Sequence, residues 1–353
     1  MTEMMNVNPL MDFARKTECS VKLPSQGLWY DDDAITFNAI GEVDIMPMLP
    51  NDEMKVVNPE TLISGDSIIS LIRSCCPGIK KPEELYYPDV NVLLLGIKKA
   101  TYGDELLQSS VCPKCWEKKV SIETDELLRL IKEKNINEEL NLSDEITREL
   151  TVQAKANVAS KITEMEKNGE LMVTPQETKY SCADILSRIK LMPKDCIYET
   201  KEGLKIFVTP YKCSDKIKFT NKNIQNSRIT KFYDKELKET TLEKTSPEYI
   251  SLVEKLVKLY ESAAIQTSEI VASCIKKVQL PNGTVVDNKD YIKEFILNLS
   301  SNYIQDIMIK IDELNNCGLP PTLECECECC HNKWEEKFYG FNQTDFFGTG
   351  SSI

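Results

Sequence analysis

The sequence predicts an α+β protein of two pseudo-repeated strand–helix halves, the second richer in helix, joined through paired cysteines. Three observations lead to that reading. Short extended runs alternate with stretches of helical period along the chain. GEVDIMPMLPND (Gly41–Asp52) is echoed by GLKIFVTPYKCSD (Gly203–Asp215): a glycine, an alternating strand, a proline, then an aspartate. Each half also closes on a CxxC pair, Cys112/Cys115 in the first and Cys327/Cys330 in the second. The expected organisation is a mobile N-terminal arm over 1–20, an α/β half over 21–128, and a helical half over 129–350 with a hairpin and the second cysteine knuckle.

The elements follow in order. Pro24, Ser25 and Gly27 mark a turn in VKLPSQGLWY, where the fold is expected to begin. GEVDIMPM places Val43, Ile45 and Pro47 on one face of a strand that ends in an edge proline. NPETLISGDSIISLIRSCC reads as a turn of helix, a break at Gly65, and a helix with Ile68, Ile69 and Ile72 inward. In DVNVLLLGIKKATYGDE, Asp89 is expected to cap a helix whose apolar face is Val90, Leu93, Leu94 and Ile97, with Gly103 as its stop. A helix from Ser143 to about Glu166 points Ile146, Leu150, Val158 and Ile162 inward, and SCAD (Ser181–Asp184) reads as a capping box. Ser246-Pro247-Glu248 opens a long helix with Ile250, Val253, Leu256, Val257 and Tyr260 inward. Asn282-Gly283 signals a β-hairpin. Two helices follow, Lys289 to Leu299 and Tyr303 to Leu314, ended by Cys317-Gly318 and Pro320-Pro321.

Composition narrows the function classes. At 353 residues, 41% hydrophobic and 28% charged, the chain fits a soluble globular protein with ample core. Forty-three basic against 56 acidic side chains leave a net charge of −13, which disfavours broad contact with a phosphate backbone. The single histidine, His331, rules out any site that needs two. The start, MTEMMNVNPLMDFARKTECS, has no secretory pattern, and the longest strongly apolar run, VNVLLLGI, is too short to span a bilayer. No membrane is expected, and in a reducing cytosol the 14 cysteines read as thiols or metal ligands before disulfides.

A CxxC pair forms a tight knuckle that can hold one metal with two sulfurs. Two such pairs, each read as leading into a strand, indicate a closed zinc-ribbon-like site of Cys112, Cys115, Cys327 and Cys330. Four thiolates satisfy the charge and tetrahedral preference of a structural Zn2+ and leave no position open. Cys325 paired with Cys327, or His331 in place of Cys330, remain alternatives in the crowded ECECECCH run, which also holds Cys329. A shared metal is expected to clip the two halves together. Structural zinc is worth about 10–16 kcal/mol in small peptides, against a net domain stability of about 5–15 kcal/mol. Thiol redox chemistry would need the first pair at the start of a helix after a core strand, whereas EKKVSIETDELL alternates as a strand. Cys75, Cys76, Cys196, Cys213 and Cys274 read as core filler, and Cys19 and Cys182 carry no pattern. No phosphate loop, dinucleotide fingerprint, nucleophile elbow or HExxH motif is present, and no carboxylate pair stands out, so no catalytic residue is assigned. Phe346 and Phe347 near the C-terminus read as packing back or docking on a partner.

Taken in order, KLPSQGLWY, GEVDIMPM with Asp52-Glu53, NPETLISGDSIISLIRSC, DVNVLLLGIKKATYGDE leading into CPKC, and the closing CECCHNKWEEKFYGFNQTDFFG resemble the baseplate hub subunit family of T-even-type contractile-tail bacteriophages. The resemblance covers Val21 to about Leu128, Lys205–Asp215 and the last thirty or so positions. It implies a non-enzymatic structural or assembly protein of the tail baseplate hub, made in the host cytoplasm, with other hub or wedge proteins as partners. Whether such a protein stays in the virion, and its oligomeric state, are left open. The extra Cys325 and Cys329 depart from the family's final cysteine pair. The rival reading is a zinc-ribbon nucleic-acid or transcription-associated protein, which the acidic balance disfavours.

Overall fold

The computed structural model describes residues 15–31, 33–57, 66–139, 144–239 and 245–338. In chain order these form β1 (Cys19–Val21), β2 (Val43–Ile45), α1 (Pro50–Val57), α2 (Asp66–Cys75), α3 (Tyr87–Tyr102), β3 (Glu105–Ser110), α4 (Pro113–Glu139), α5 (Asp144–Lys167), β4 (Gln176–Ser181) and α6 (Cys182–Ser187). There follow β5 (Ile197–Glu199), β6 (Lys205–Val208), α7 (Cys213–Glu239), α8 (Pro247–Ser273), β7 (Ile275–Gln279), β8 (Val285–Val286), α9 (Lys289–Leu297), α10 (Ser301–Asn315), β9 (Thr322–Glu326) and β10 (Lys333–Lys337). The fold is α+β, with small antiparallel sheets. No described helix is long and apolar enough to cross a membrane.

Two compact units share this chain. The first comprises the described residues of Met1–Asp104 and Cys182–Pro320, the second those of Glu105–Ser181 and Pro321–Tyr339. This division does not follow the 21–128 and 129–350 halves expected from the sequence. The second unit is an insertion completed by a distant hairpin, because β3 pairs with β4 across 65 intervening positions that hold α4 and α5. Residues 15–20 of the expected mobile arm are built into the first unit: β1 pairs with β2, and Arg15 donates to Pro47 O at 2.8 Å and lies 3.7 Å from Asp52. Residues 1–14 lie outside the described residues.

Helix α3 organises the first part of that unit. Its apolar run is buried on nearly every side, from Val90 to Ile97, so no single face suffices to describe it. The β1–β2 ribbon lies so close that a Cβ on Gly96 would come within 2.8 Å of Val21 Cγ1. Gly103, at φ 89°, ends the helix and donates to Lys99 O, as its position in the sequence implies. Asp89 has a different role from the expected cap. The helix starts two residues earlier, at Tyr87, and the fully buried Asp89 carboxylate accepts from Ser25 N at 3.0 Å and from the Tyr30 hydroxyl at 2.6 Å. Burial raises its pKa, while the Ser25 and Tyr30 hydrogen bonds oppose that rise. In α2, Ser67, Leu71, Ile72 and Cys75 are the buried positions, with Ile68 and Ile69 half-buried; residues 58–65, including the expected Gly65 break, lie outside the described residues.

The rest of the first unit packs around the sheet β5-β6-β7-β8. Ile206, Val208 and Ile275 from the strands meet Ile292 and Ile296 of α9 and Ile307, Ile311 and Leu314 of α10. Asn282-Gly283 forms the β7–β8 hairpin turn, with Gly283 at φ 87°. Between β6 and β7 the chain makes the two long helices α7 and α8. Ser246 caps α8 by accepting from Tyr249 N at 3.2 Å, and Pro247 occupies its first turn. The face expected to point inward does not. Ile250, Val253, Val257 and Tyr260 are all exposed, and Leu256 is half-buried. A pair of helices buries only the seam between them, so a second apolar stripe has nothing to pack on.

Replacing Asp89 with alanine deprives two buried donors of their acceptor. Asp89→Ala is expected to cost about 2–4 kcal/mol in urea unfolding followed by circular dichroism, and a cost below about 0.5 kcal/mol would show that the carboxylate holds nothing.

Candidate metal centre

Among its described residues, the second unit buries few apolar side chains. Besides cysteines, its buried apolar side chains among the described residues are Leu106, Ile162, Leu171 and Leu323. Its chain segments meet at the cysteine pairs. Cys112 follows β3 and precedes α4, whose first turn is closed by Trp116 N donating to Cys112 O at 2.9 Å. Cys115 lies in that turn.

Helix α4 overturns the expected strand after Cys115. Cys112, Cys115, Lys119, Ile122 and Glu126 are the less exposed positions, which is a helical repeat of three and four. The Val120/Ile122 alternation is too short to distinguish the two periods. Pro113 at the first helical position and the Glu, Lys and Leu content that follows decide for helix. A CxxC at a helix start after a strand is the arrangement that thiol redox chemistry uses, so strand topology gives no argument against that chemistry.

At the other pair the strand comes first. LECECE (Leu323–Glu328) alternates with period two, burying Leu323, Cys325 and Cys327 and exposing Glu324, Glu326 and Glu328. The chain then turns through the Cys327–Cys330 knuckle. His331 takes the left-handed conformation, φ 52°, and donates its N–H to Cys327 O at 3.0 Å, while Cys327 N donates to Asn332 O at 2.9 Å. Strand β10 runs back, pairing Trp334 with Cys325.

These knuckles bring the Sγ atoms of Cys112, Cys115, Cys327 and Cys330 within 4.8 Å of one another. Cys112–Cys330 and Cys115–Cys330 are 3.7 Å apart and Cys115–Cys327 is 3.8 Å apart. A tetrahedral metal with bonds of about 2.3 Å to sulfur requires sulfur–sulfur edges of about 3.8 Å. A disulfide would need about 2.05 Å, and all four are free thiols.

Each sulfur also faces a backbone donor. Cys115 N–H is directed at Cys112, Met172 N–H at Cys115, and Asn332 N–H at Cys330. Cys330 N lies 3.5 Å from Cys327 Sγ. Four such donors suit four anionic sulfurs. Burial pushes the Cys112 and Cys115 thiols up. At Cys330 burial acts the same way, but the Asn332 N–H and the neighbouring thiols outweigh it and hold that thiol below its usual value. Ile162 and Leu171, with Met165, Met172 and Trp334, wall the group with apolar surface. The donor set and its spacing fit a tetrahedral metal ion held by these four residues. Such an ion would offset part of the thiolates' charge and cross-link the two segments, and it would leave no coordination position open.

The neighbouring candidates are placed elsewhere. Cys325 is buried one strand pair away, its thiol 3.1 Å from the Tyr180 hydroxyl and 3.7 Å from Ser110 Oγ. Cys329 directs its thiol to Gly169 O at 2.9 Å. His331 is 77% exposed and lies 3.4 Å from Glu326 Oε1. All four grouped cysteines belong to the second unit, so the site ties together its two segments, 212 positions apart, and does not clip the expected halves.

Sequence reading missed the supporting residues. Gln176 donates to Glu326 O at 2.7 Å and accepts from Glu328 N at 3.4 Å, bracing the second knuckle from β4. The turn after α5 brings Gly169, at φ 71°, and Met172 to the cysteines, and Glu166 accepts from Val173 N at 3.2 Å and Thr174 N at 3.3 Å. Asn168-Gly169 is legible as a helix stop, but nothing local says where the turn goes.

Gln176→Ala is expected to weaken metal binding about 10–100-fold in a chelator competition, the range for lost outer hydrogen bonds. His331→Ala is expected to leave affinity unchanged; a large loss there would reassign the ligand set. Comparisons with protein-family models, with curated proteins and with solved structures find no match to this chain.

Proposed function

We propose that this protein is a non-enzymatic structural or assembly component of a bacteriophage tail baseplate hub, with a structural Zn2+ on Cys112, Cys115, Cys327 and Cys330. The observation that carries the structural role is a closed four-thiol group in a unit that buries few apolar side chains among its described residues. Among tetrahedral thiolate binders, zinc adds folding energy without redox chemistry of its own. The baseplate assignment rests on the order of sequence motifs from KLPSQGLWY to FNQTDFFG. On this reading the host cytoplasm during assembly is its location, with the virion tail baseplate as a further one, and other hub or wedge proteins are its partners. The recurrence of a short strand followed by a helix at Gly41–Asp52 and Gly203–Asp215 supports an internal pseudo-repeat as part of the same reading.

The β9–β10 hairpin with its knuckle has the form of a ribbon, which favours the nucleic-acid alternative in shape. Its surface does not: the exposed Glu324, Glu326, Glu328 and Glu335 outnumber the exposed Lys333 and Lys337 along it and leave it acidic, which disfavours phosphate.

Protein purified without chelators is expected to contain one zinc per chain by elemental mass analysis, and a tagged copy in infected cells to recover hub or wedge proteins. Metal-free protein with a reversible Cys112–Cys115 disulfide would favour a thiol redox protein instead. Salt-sensitive capture of DNA or RNA without tail proteins would favour the nucleic-acid reading.

A further inference from the structure

From 214 to 265 no described residue is buried, although this stretch includes most of α7 and α8. On α8 the half-buried Leu252, Leu256, Leu259 and Ala263 recur at helical spacing and mark the side packed on α7. Roughly a third of a turn away, Ile250, Val253, Val257 and Tyr260 repeat at the 3-4-3 spacing of a helix-packing seam, each between 36% and 56% exposed. An open groove of about 390 Å³ follows this stripe, with Glu254, Lys258 and Glu261 along it. Helix α7 is exposed at Ile224, Ile229 and Phe232.

Charge separates the two helices. Helix α7 carries seven basic and four acidic residues, and α8 carries two basic and four acidic. Arg228 and Lys231 are exposed among the apolar residues of α7, and Glu254 and Glu261 are exposed beside the stripe of α8. Each helix therefore offers an outer surface matched in charge and apolar character to that of the other.

We propose that this face is an interface between two copies of the chain, arranged so that α8 of each lies against α7 of the other. Such a two-fold exchange closes on itself and makes a four-helix bundle from two helix pairs. The acidic edge of each α8 meets the basic surface of the partner's α7, which sets the orientation. The exposed parts of the apolar side chains on both helices amount to on the order of 600 Å² per chain, near the ~800 Å² per partner of a stable interface and at the upper end of what a monomer ordinarily leaves open. This interface is independent of the metal centre.

Sedimentation velocity on the full, metal-loaded chain tests it. A species of twice the 40.2 kDa chain mass is expected, with dissociation at concentrations between about 1 and 100 μM. Val253→Glu with Val257→Glu is expected to give monomer whose melting temperature matches that of the wild type measured below its dissociation range, since both positions are exposed. Glu254→Lys with Glu261→Lys is expected to weaken association at least tenfold, and adding Arg228→Glu with Lys231→Glu to the same chain to restore it. Wild-type protein that stays monomeric throughout overturns the proposal and assigns the face to a different protein. A dimer that survives the Val253/Val257 change, or charge reversals that fail to restore one another, also overturns it.

Discussion

Four sulfur atoms at the edge lengths of a thiolate tetrahedron sit where the second unit otherwise buries, among its described residues, only a few aliphatic side chains. The two segments they join are far apart in the chain, so bringing them together costs loop-closure entropy before any contact repays it. Leu106, Ile162, Leu171 and Leu323 are the buried aliphatic side chains of this unit among the described residues. A metal on the four thiols would cross-link the two segments directly. The four-thiol group also accounts for the local geometry: the left-handed His331, the turn at Gly169 and the bracing by Gln176 all direct backbone N–H groups or hold the knuckles that do so.

The first unit follows ordinary rules. Its cysteines are small core residues: Cys213 and Cys274 are buried, and desolvation pushes their thiols up to about 12. Its buried carboxylate is held locally, with Asp89 accepting from Ser25 N and the Tyr30 hydroxyl and Tyr30 in turn accepting from Tyr86 N at 2.7 Å. Stability there comes from burial along α3 and around the β5-β6-β7-β8 sheet.

Much of this was legible in the sequence where the signal is local. The proline and serine opening α8, the Asn-Gly hairpin, and the glycine that stops α3 each act through their own backbone and appear where expected. The paired cysteines were legible because CxxC spacing constrains a knuckle wherever it occurs. Readings failed where tertiary context decides. Val120 and Ile122 suggested a strand because two apolar residues two apart fit either period, and only the longer run favours helix. The stripe from Ile250 to Tyr260 has core spacing, yet no described element of the first unit covers it, since periodicity shows that a face is apolar and not what packs on it. Domain limits failed because an insertion completed by a distant hairpin leaves no compositional mark.

The central claim is that Cys112, Cys115, Cys327 and Cys330 together hold one metal ion in a sulfur-only shell. X-ray absorption at the metal edge of the purified protein reads that shell directly. The account expects zinc with four sulfur neighbours at about 2.3 Å and no lighter ligand. A shell containing nitrogen or oxygen, or fewer than four sulfurs, would contradict it.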